Sequence, residues 1–255
     1  MPHRMTFMIG RRTVIAAWLL GAVAMAWAQQ PVELHHRLVP QADTDRRVAL
    51  TLDACSGRFD VALLDFLIRE RIPATLFVTR RWIRRNAHGV ALIKAHADLF
   101  EVENHGANHV PAVIGPERAV YGIAGVPDLE HLRSEVGEGA RAIETAFGVA
   151  PRWYRDATAV YDLQAIAEIE RMGYRIAGFS VNADAGATLP QAAIEKRLQG
   201  VRGGDVIIAH MNKPDSDTAE ALAAGLAELK RQGYVFVRLD QVELQLVGPK
   251  RPRLK

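Results

Sequence analysis

Six polar residues mark places where short apolar runs of this sequence end: Asp53, His105 with His109, Arg155, Asp184 and His210. The two histidines are four apart in Glu103-Asn104-His105-Gly106-Ala107-Asn108-His109, and two imidazoles so spaced at a strand-to-loop turn can close on one divalent cation. Zinc would take a ring nitrogen of each at about 2.0 to 2.1 Å, would need a third protein ligand, and would keep one position open to solvent. Alone, His-x-x-x-His is a weak signal, and a single Asp or Arg is ordinarily a surface charge. Weight comes from their shared position, because reactive groups of parallel α/β barrels gather at the C-terminal ends of the strands.

The elements that must position these groups alternate along the chain. Strands are expected at Val48 to Leu52, Ala74 to Val78, Phe100 to Asn104, Trp153 to Arg155, Ile176 to Ser180, Val206 to His210 and Tyr234 to Arg238. Helical periods fill the intervals: Asp60 to Arg71, Val90 to Ala97, Leu129 to Phe147, Asp162 to Met172, Pro190 to Leu198 and Thr218 to Gln232. Asp60 reads as an N-cap, and Gly148, Gly173 and Gly233 as helix stops. The alternation predicts βα units around a parallel sheet, closed into one barrel-like domain over residues 47–245. An open doubly wound sheet is the competitor, but the glycine-rich phosphate turn it would carry after the first strand is replaced by Asp-Ala-Cys-Ser-Gly-Arg.

Residues 1–28 are set apart. Arg4, Arg11 and Arg12 precede an apolar run from Thr13 to Trp27 that ends at Ala26-Trp27-Ala28, the pattern of a cleaved signal peptide. The run falls short of the roughly 20 residues that span a bilayer, so no stable membrane span is expected after cleavage. Gly10-Arg11-Arg12-Thr13 also admits a twin-arginine signal, and the expected location is the periplasm or the exterior. Loss of those three arginines takes the formal charge of +3 to zero, with 29 acidic side chains then balanced. A neutral domain gives no reason to expect nucleic acid as partner. Residues 29–46 read as a polar linker in which His35 and His36 are solvated, and 246–255 as a basic tail. Cys55 is the single cysteine, so an intramolecular disulfide is impossible.

The whole set resembles the polysaccharide deacetylases with the NodB-like domain. Ala49-Leu50-Thr51-Leu52-Asp53-Ala54 is similar to that family's strand ending Thr-Phe-Asp-Asp, and Asn104 through His109 to its Asn-His-(Ser/Thr)-x-x-His, with Gly106 in the Ser/Thr place. Pro151-Arg152-Trp153-Tyr154-Arg155 resembles the third motif, Asp184 after Ser180-Val181-Asn182-Ala183 the fourth, and Ile207-Ile208-Ala209-His210 the Leu-x-His of the fifth. The motifs fall in the family's order over nearly all of the chain beyond the signal.

The resemblance implies a distorted (β/α) barrel and metal-assisted removal of acetyl groups from an N-acetylated, or O-acetylated, glycan of the cell envelope. A metal would polarise the carbonyl and acidify a water, a carboxylate would take the proton, and an imidazolium would protonate the leaving amine. Asp53 is then the base and His210 the acid, with Arg155 keeping the base ionised and Asp184 orienting one of the two. The cation would be zinc, with cobalt or nickel as substitutes, on His105, His109 and a third ligand. Ala54 occupies the place of the family's metal-binding Asp and cannot coordinate. Asp53 ranks first as its replacement, ahead of Glu103, which period two puts on the face of His105, and Asp60; Ala54→Asp would tighten metal binding if position 54 faces the site. Cys55 reads either as a thiolate ligand or as a small buried hydrophobe. Asp156-Ala157-Thr158-Ala159 departs from the family's groove motif and implies a different substrate choice. Trp82, Trp153 and Tyr161 read as core. The competing function is a carbohydrate-binding or scaffold protein on the same fold, disabled by Ala54. Oligomeric state has no signature here.

Overall fold

Side-chain alternation along one strand sets the architecture. In β2 (Arg47–Ala54) Leu50, Leu52 and Ala54 join the apolar layer under the helices, while Ala49 joins a second cluster inside the sheet, on the face shared by Thr51 and Asp53. The computed structural model describes residues 31–42, 44–115 and 117–250. The expected signal, residues 1 to 28, lies outside them, as do Arg251, Arg253 and Lys255.

The remaining elements, in chain order, are β1 (Val32–Leu38) before β2, then α1 (Val61–Arg69), β3 (Ala74–Val78), α2 (Arg80–Arg85), α3 (Ala87–Ala95) and β4 (Phe100–Asn104). A hairpin of β5 (Ala119–Val120) and β6 (Ile123–Ala124) follows, then α4 (Leu129–Phe147), β7 (Trp153–Tyr154), β8 (Val160–Tyr161), α5 (Leu163–Arg171), β9 (Arg175–Ile176) and β10 (Val181–Asn182). The chain continues through α6 (Gln191–Gln199), β11 (Val206–His210), α7 (Thr218–Arg231), β12 (Val235–Val237) and β13 (Leu244–Lys250).

The main sheet runs β10-β11-β2-β3-β4-β7-β9, all parallel, with β12 beside the start of β2. Its two ends belong to one passage of chain, since β9 pairs with β7 and β10 with β11. Ala177–Ser180 between them therefore close the ring, and the distorted (β/α) barrel is the fold observed. The passage was expected as one strand, Ile176 to Ser180. It splits because its middle turns its hydrogen bonds outward: His36 N donates to Phe179 O at 3.2 Å and Phe179 N to Leu34 O at 3.4 Å.

Those bonds come from β1, which corrects the reading of residues 29–46 as linker. β1 pairs antiparallel with β13 from Glu33↔Lys250 to Leu38↔Leu244, and with β8. The expected tail thus begins as a strand. His35 is buried, and His36 Nδ1 accepts from Gly178 N at 3.1 Å, so neither is solvated. The pairing joins opposite ends of the chain and leaves no local signal in either.

Helix ends follow the sequence. Asp60 caps α1 through Leu63 N, Asp128 caps α4 through His131 N, and Asp162 caps α5 through Ala165 N. α1 buries Leu63, Leu64, Phe66 and Leu67 against β2, each contributing about 1.5–3 kcal/mol. α4 lies close against the end of β4, where a Cβ on Gly139 would collide with Asn104 Oδ1 and the backbone of Gly106. That close approach brings the helix onto the loop carrying both histidines.

Candidate active site

The six residues singled out in the sequence all reach the C-terminal rim of the barrel. Asp53 and His210 are in register on neighbouring strands β2 and β11. His105 and Arg155 directly follow β4 and β7, and Asp184 lies two residues beyond β10.

Arg155 is fully buried, and each donor edge of its guanidinium is used. Nη1 donates to Asp53 Oδ1 at 2.9 Å and to Thr51 Oγ1 at 2.7 Å, Nε to Ala177 O at 3.2 Å, and Nη2 to Gly178 O at 3.3 Å. Its plane lies over the Phe77 ring, 4.2 Å from the centroid. The planar fork thus ties the C-terminal end of β2 to the seam that closes the barrel, a task a lysine could not perform.

His105 Nδ1 is 2.8 Å from Arg155 O, which fixes the proton on Nδ1 when the ring is neutral and turns Nε2 toward the cleft. Nε2 lies 3.5 Å from Cys55 Sγ and 3.8 Å from Asp53 Oδ2. Burial lowers the His105 imidazole, but the Asp53 charge, Cys55 and the Arg155 carbonyl push it up to about 9. The His109 ring meets that of His105 edge-on, centroids 5.1 Å apart, and His109 Nε2 is shut off from solvent with no hydrogen-bond partner. One donor atom each from Cys55, His105 and His109 lie within 4.8 Å of one another. For Cys55 burial raises the thiol, yet hydrogen bonds and charge from His105, aided by His109 and His210, hold it well below its ordinary range.

Glu135, on α4, holds this loop and was not foreseen. Its Oε1 accepts from Asn108 N at 2.8 Å and Val110 N at 3.3 Å, while its backbone carbonyl accepts from Ala107 N at 3.0 Å. Gly106 is the answering feature: it has φ +83°, and a Cβ there would come within 2.5 Å of Glu135 Oε1. The departure from Ser/Thr at this position is therefore a steric requirement of the loop. His109 also adopts a positive φ of 65°.

On the opposite side, His210 Nδ1 is 2.9 Å from Asp184 Oδ1, and His210 N donates to Asp184 Oδ2 at 2.8 Å. Burial opposes charge on both, but their mutual attraction and hydrogen bonds prevail, holding Asp184 below its ordinary value and His210 well above its own. Each partner thus favours the charged form of the other.

A cavity of about 620 Å³ opens over the rim, lined among others by Asp53, Cys55, His109 and His210. Ala157, Thr158 and Ala159 form part of its wall. They are held by Asp156, whose Oδ1 accepts from Thr158 N at 2.7 Å and whose Oδ2 accepts from Ala112 N. Tyr121 and Ile123, from the β5–β6 hairpin, stand exposed at the mouth. Trp82, Trp153 and Tyr161 are buried core, as read from the sequence.

The two lower-ranked alternatives for the third ligand are engaged elsewhere. Asp60 is spent as an N-cap, Leu63 N to Asp60 Oδ1 at 3.1 Å. Glu103 does face into the barrel, but its Oε2 accepts from Arg152 N at 2.8 Å and Trp153 N at 2.7 Å, on the side away from the rim cavity. Asp53 stays at the edge of the donor cluster with one oxygen held by Arg155. Ala54 packs into the apolar layer beneath the helices. Thr79 Oγ1 donates to Cys55 O at 2.6 Å and so fixes the turn after β2.

The polysaccharide deacetylase family model matches residues 41–177. The chain belongs to that family. It is 26% identical over 207 residues to the peptidoglycan-N-acetylglucosamine deacetylase PgdA of Listeria monocytogenes, covering 80% of this chain and 40% of the relative, so it spans well under half of that protein's length. It is 22% identical over 205 residues to the peptidoglycan-N-acetylglucosamine deacetylase of Bacillus cereus, covering 78% of this chain and 89% of the relative. The crystal structure of a family 4 carbohydrate esterase pseudoenzyme from Bacillus anthracis superposes with a TM-score of 0.63 at 20% identity, over 79% of this chain and 66% of that one. This last likeness concerns the fold alone.

Proposed function

We propose that this chain is a metal-dependent deacetylase that hydrolyses the acetyl group of an N-acetylated glycan of the cell envelope. One observation carries the reading: a carboxylate locked by a buried guanidinium, an imidazole locked by a buried carboxylate, and His109, whose ring packs on that of His105, line one cavity. Family membership and the deacetylase names of the relatives support the same chemistry.

The donor set fits a divalent cation. His109 Nε2 is a buried nitrogen without a partner, and imidazole nitrogens beside an anionic donor suit zinc, with cobalt or nickel as substitutes. His105 and His109 would hold it. When bound, such a cation supplies Lewis acidity to the acetyl carbonyl and the attacking water. Asp53, with Oδ1 fixed by Arg155, accepts the proton of that water through Oδ2. His210, whose protonated form Asp184 favours, donates its Nε2 proton to the departing sugar nitrogen. Arg155 and Asp184 act through these two, as positioning residues.

A periplasmic or extracellular site of action belongs to this proposal, and the export-like pattern of residues 1–28 in the sequence supports it. Among the described residues no helix is long and apolar enough to cross a membrane.

The test is acetate release from N-acetylglucosamine oligomers and from peptidoglycan by the zinc-loaded protein. Release that is abolished by a chelator, by His105→Ala and by Asp53→Asn supports the proposal. Glycan binding without acetate release by the metal-loaded chain would overturn it in favour of a carbohydrate-binding protein.

A further inference from the structure

The metal site above leaves one anionic ligand unassigned, and the residue that would supply it by sequence position is an alanine. β2 explains the outcome. Successive side chains of a strand point to opposite faces, so Ala54 falls on the helix side while Asp53 and the residue after Ala54 fall on the barrel side. That next residue is Cys55. Its carbonyl is held by Thr79, and the turn that follows is tied down by Asn86 Nδ2 to Gly57 O at 3.1 Å and by Asn212 Nδ2 to Ser56 O.

We infer that Cys55 is the third protein ligand of the metal site, giving a thiolate and two imidazoles where the family resemblance leads one to expect a carboxylate and two imidazoles. This rests on the metal-dependent reading above and goes beyond it. Three observations on different elements carry it. Cys55 Sγ lies 3.5 Å from His105 Nε2, whose ring is already aimed by the Arg155 carbonyl on Nδ1. The donors of Cys55, His105 and His109 fall within 4.8 Å of one another. His109 Nε2 is buried and unpartnered.

The exchange preserves charge, since thiolate and carboxylate each bring one negative charge to the cation, while it softens the donor set. A softer set favours zinc over magnesium or manganese and leaves Asp53 free to serve as base. It also removes the need for Asp53 to bind metal and move a proton at once.

Because Cys55 is the only cysteine in the chain, both tests read a single atom. The full chain, freed of metal, is titrated with Co(II) and followed by absorption. Expected is a sulfur-to-cobalt charge-transfer band in the near ultraviolet along with visible d–d bands, the former lost in Cys55→Ala and in Cys55→Asp and both lost in His105→Ala. Zinc affinity should fall by more than about 100-fold in Cys55→Ala, beyond the effect of losing a partner of a ligand, and recover in part in Cys55→Asp. Independently, zinc should slow alkylation of Cys55 in the unsubstituted chain by more than about tenfold, since the attacking lone pair is the coordinating one. Cobalt bound at the histidines with no charge-transfer band and no protection of the thiol would overturn the Cys55 assignment and leave the metal-dependent reading intact. Absence of any cobalt or zinc binding would overturn both. Acetate release that survives chelation but is lost on alkylation would also overturn it, making the thiol a nucleophile.

Discussion

Arg155 Nη1 stands 2.9 Å from Asp53 Oδ1, with the guanidinium fully buried and Asp53 open only along a narrow edge to the cavity, so bulk water cannot replace either partner in full. Removing one member leaves the other buried and uncompensated, which costs about 3–5 kcal/mol. Arg155→Met should therefore lower both stability and activity. Arg155→Lys keeps the charge but loses the fork to Thr51, Ala177 and Gly178. Its denaturant midpoint should fall less than that of Arg155→Met, while kcat/KM still drops by about 100-fold or more for want of an oriented base. Equal stability of the parent and Arg155→Met would show that the pair is not buried as described.

Asp184 and His210 allow a different separation, between orienting a proton and holding a metal. Asp184→Asn keeps the shape yet offers an amide to His210 Nδ1, which no longer favours an imidazolium with its proton on Nε2. The expected result is a fall in kcat of about 100-fold or more with zinc content unchanged, read by turnover and by metal analysis of the same preparation. Loss of zinc in this variant would assign Asp184 to the metal site instead.

The barrel was legible because its strands carry a double signal, apolar runs punctuated by helical periods, each closing on a polar residue. Ala74–Val78, Phe100–Asn104 and Val206–His210 came out as expected for that reason. β1 and β13 were not legible: their pairing spans the chain, and their burial is partial, so neither shows strict alternation. At the site, strand-end positions singled out Asp53, His105, His109, Arg155, Asp184 and His210 together. Glu135 escaped notice because it lies within an ordinary amphipathic helix, its role decided by which loop that helix meets. The rank of Asp53 as third ligand came from sequence proximity alone, and the direction in which Cys55 faces His105 and His109 had no signature in the sequence.

Gly106 and Glu135 form a matched pair, which makes the loop testable at a distance from the metal. Glu135→Gln keeps one acceptor but loses the charge that gathers Asn108 N and Val110 N, and should weaken zinc binding by about 10- to 100-fold, as loss of a ligand's support does. Gly106→Ser should do at least as much, since it adds strain at φ +83° and pushes Glu135 aside. Isothermal titration with zinc checks both. Tighter or unchanged binding in Gly106→Ser, the residue the family places there, would show that the loop has room the structure does not reveal.

Ala54 is the sharpest point of difference between reading by position and reading by direction. Fully buried among Leu50, Leu52 and the α1 leucines, it offers a carboxylate no partner. Ala54→Asp should lower stability by about 3 kcal/mol and leave zinc affinity no tighter, contrary to the expectation from sequence position. Chemical denaturation and a zinc titration of the variant decide the matter, tighter binding being the outcome that would return position 54 to the site.

His36 gives the fold a predictable acid limb. Burial first, and then the charges of Arg155, His35 and Arg175, lower its imidazole from 6.5 to about 4, and Gly178 N donates to Nδ1 in the neutral form. Between these two values the unfolded chain binds a proton that the folded chain does not, so stability rises with pH in this window. The contribution is fully present above pH 6.5 and is lost as pH falls toward 4, on the order of 2 kcal/mol once the ring's partial exposure is allowed for. His36→Gln can accept the same Gly178 N–H with its side-chain carbonyl and does not titrate. The melting temperature of the parent should therefore fall relative to that of His36→Gln as pH drops from 6.5 to 4, and the two curves should run parallel above 7. Parallel curves throughout would mean that the imidazole is protonated in place, and that the seam between β1 and Ala177–Ser180 accommodates a cation beside Arg155.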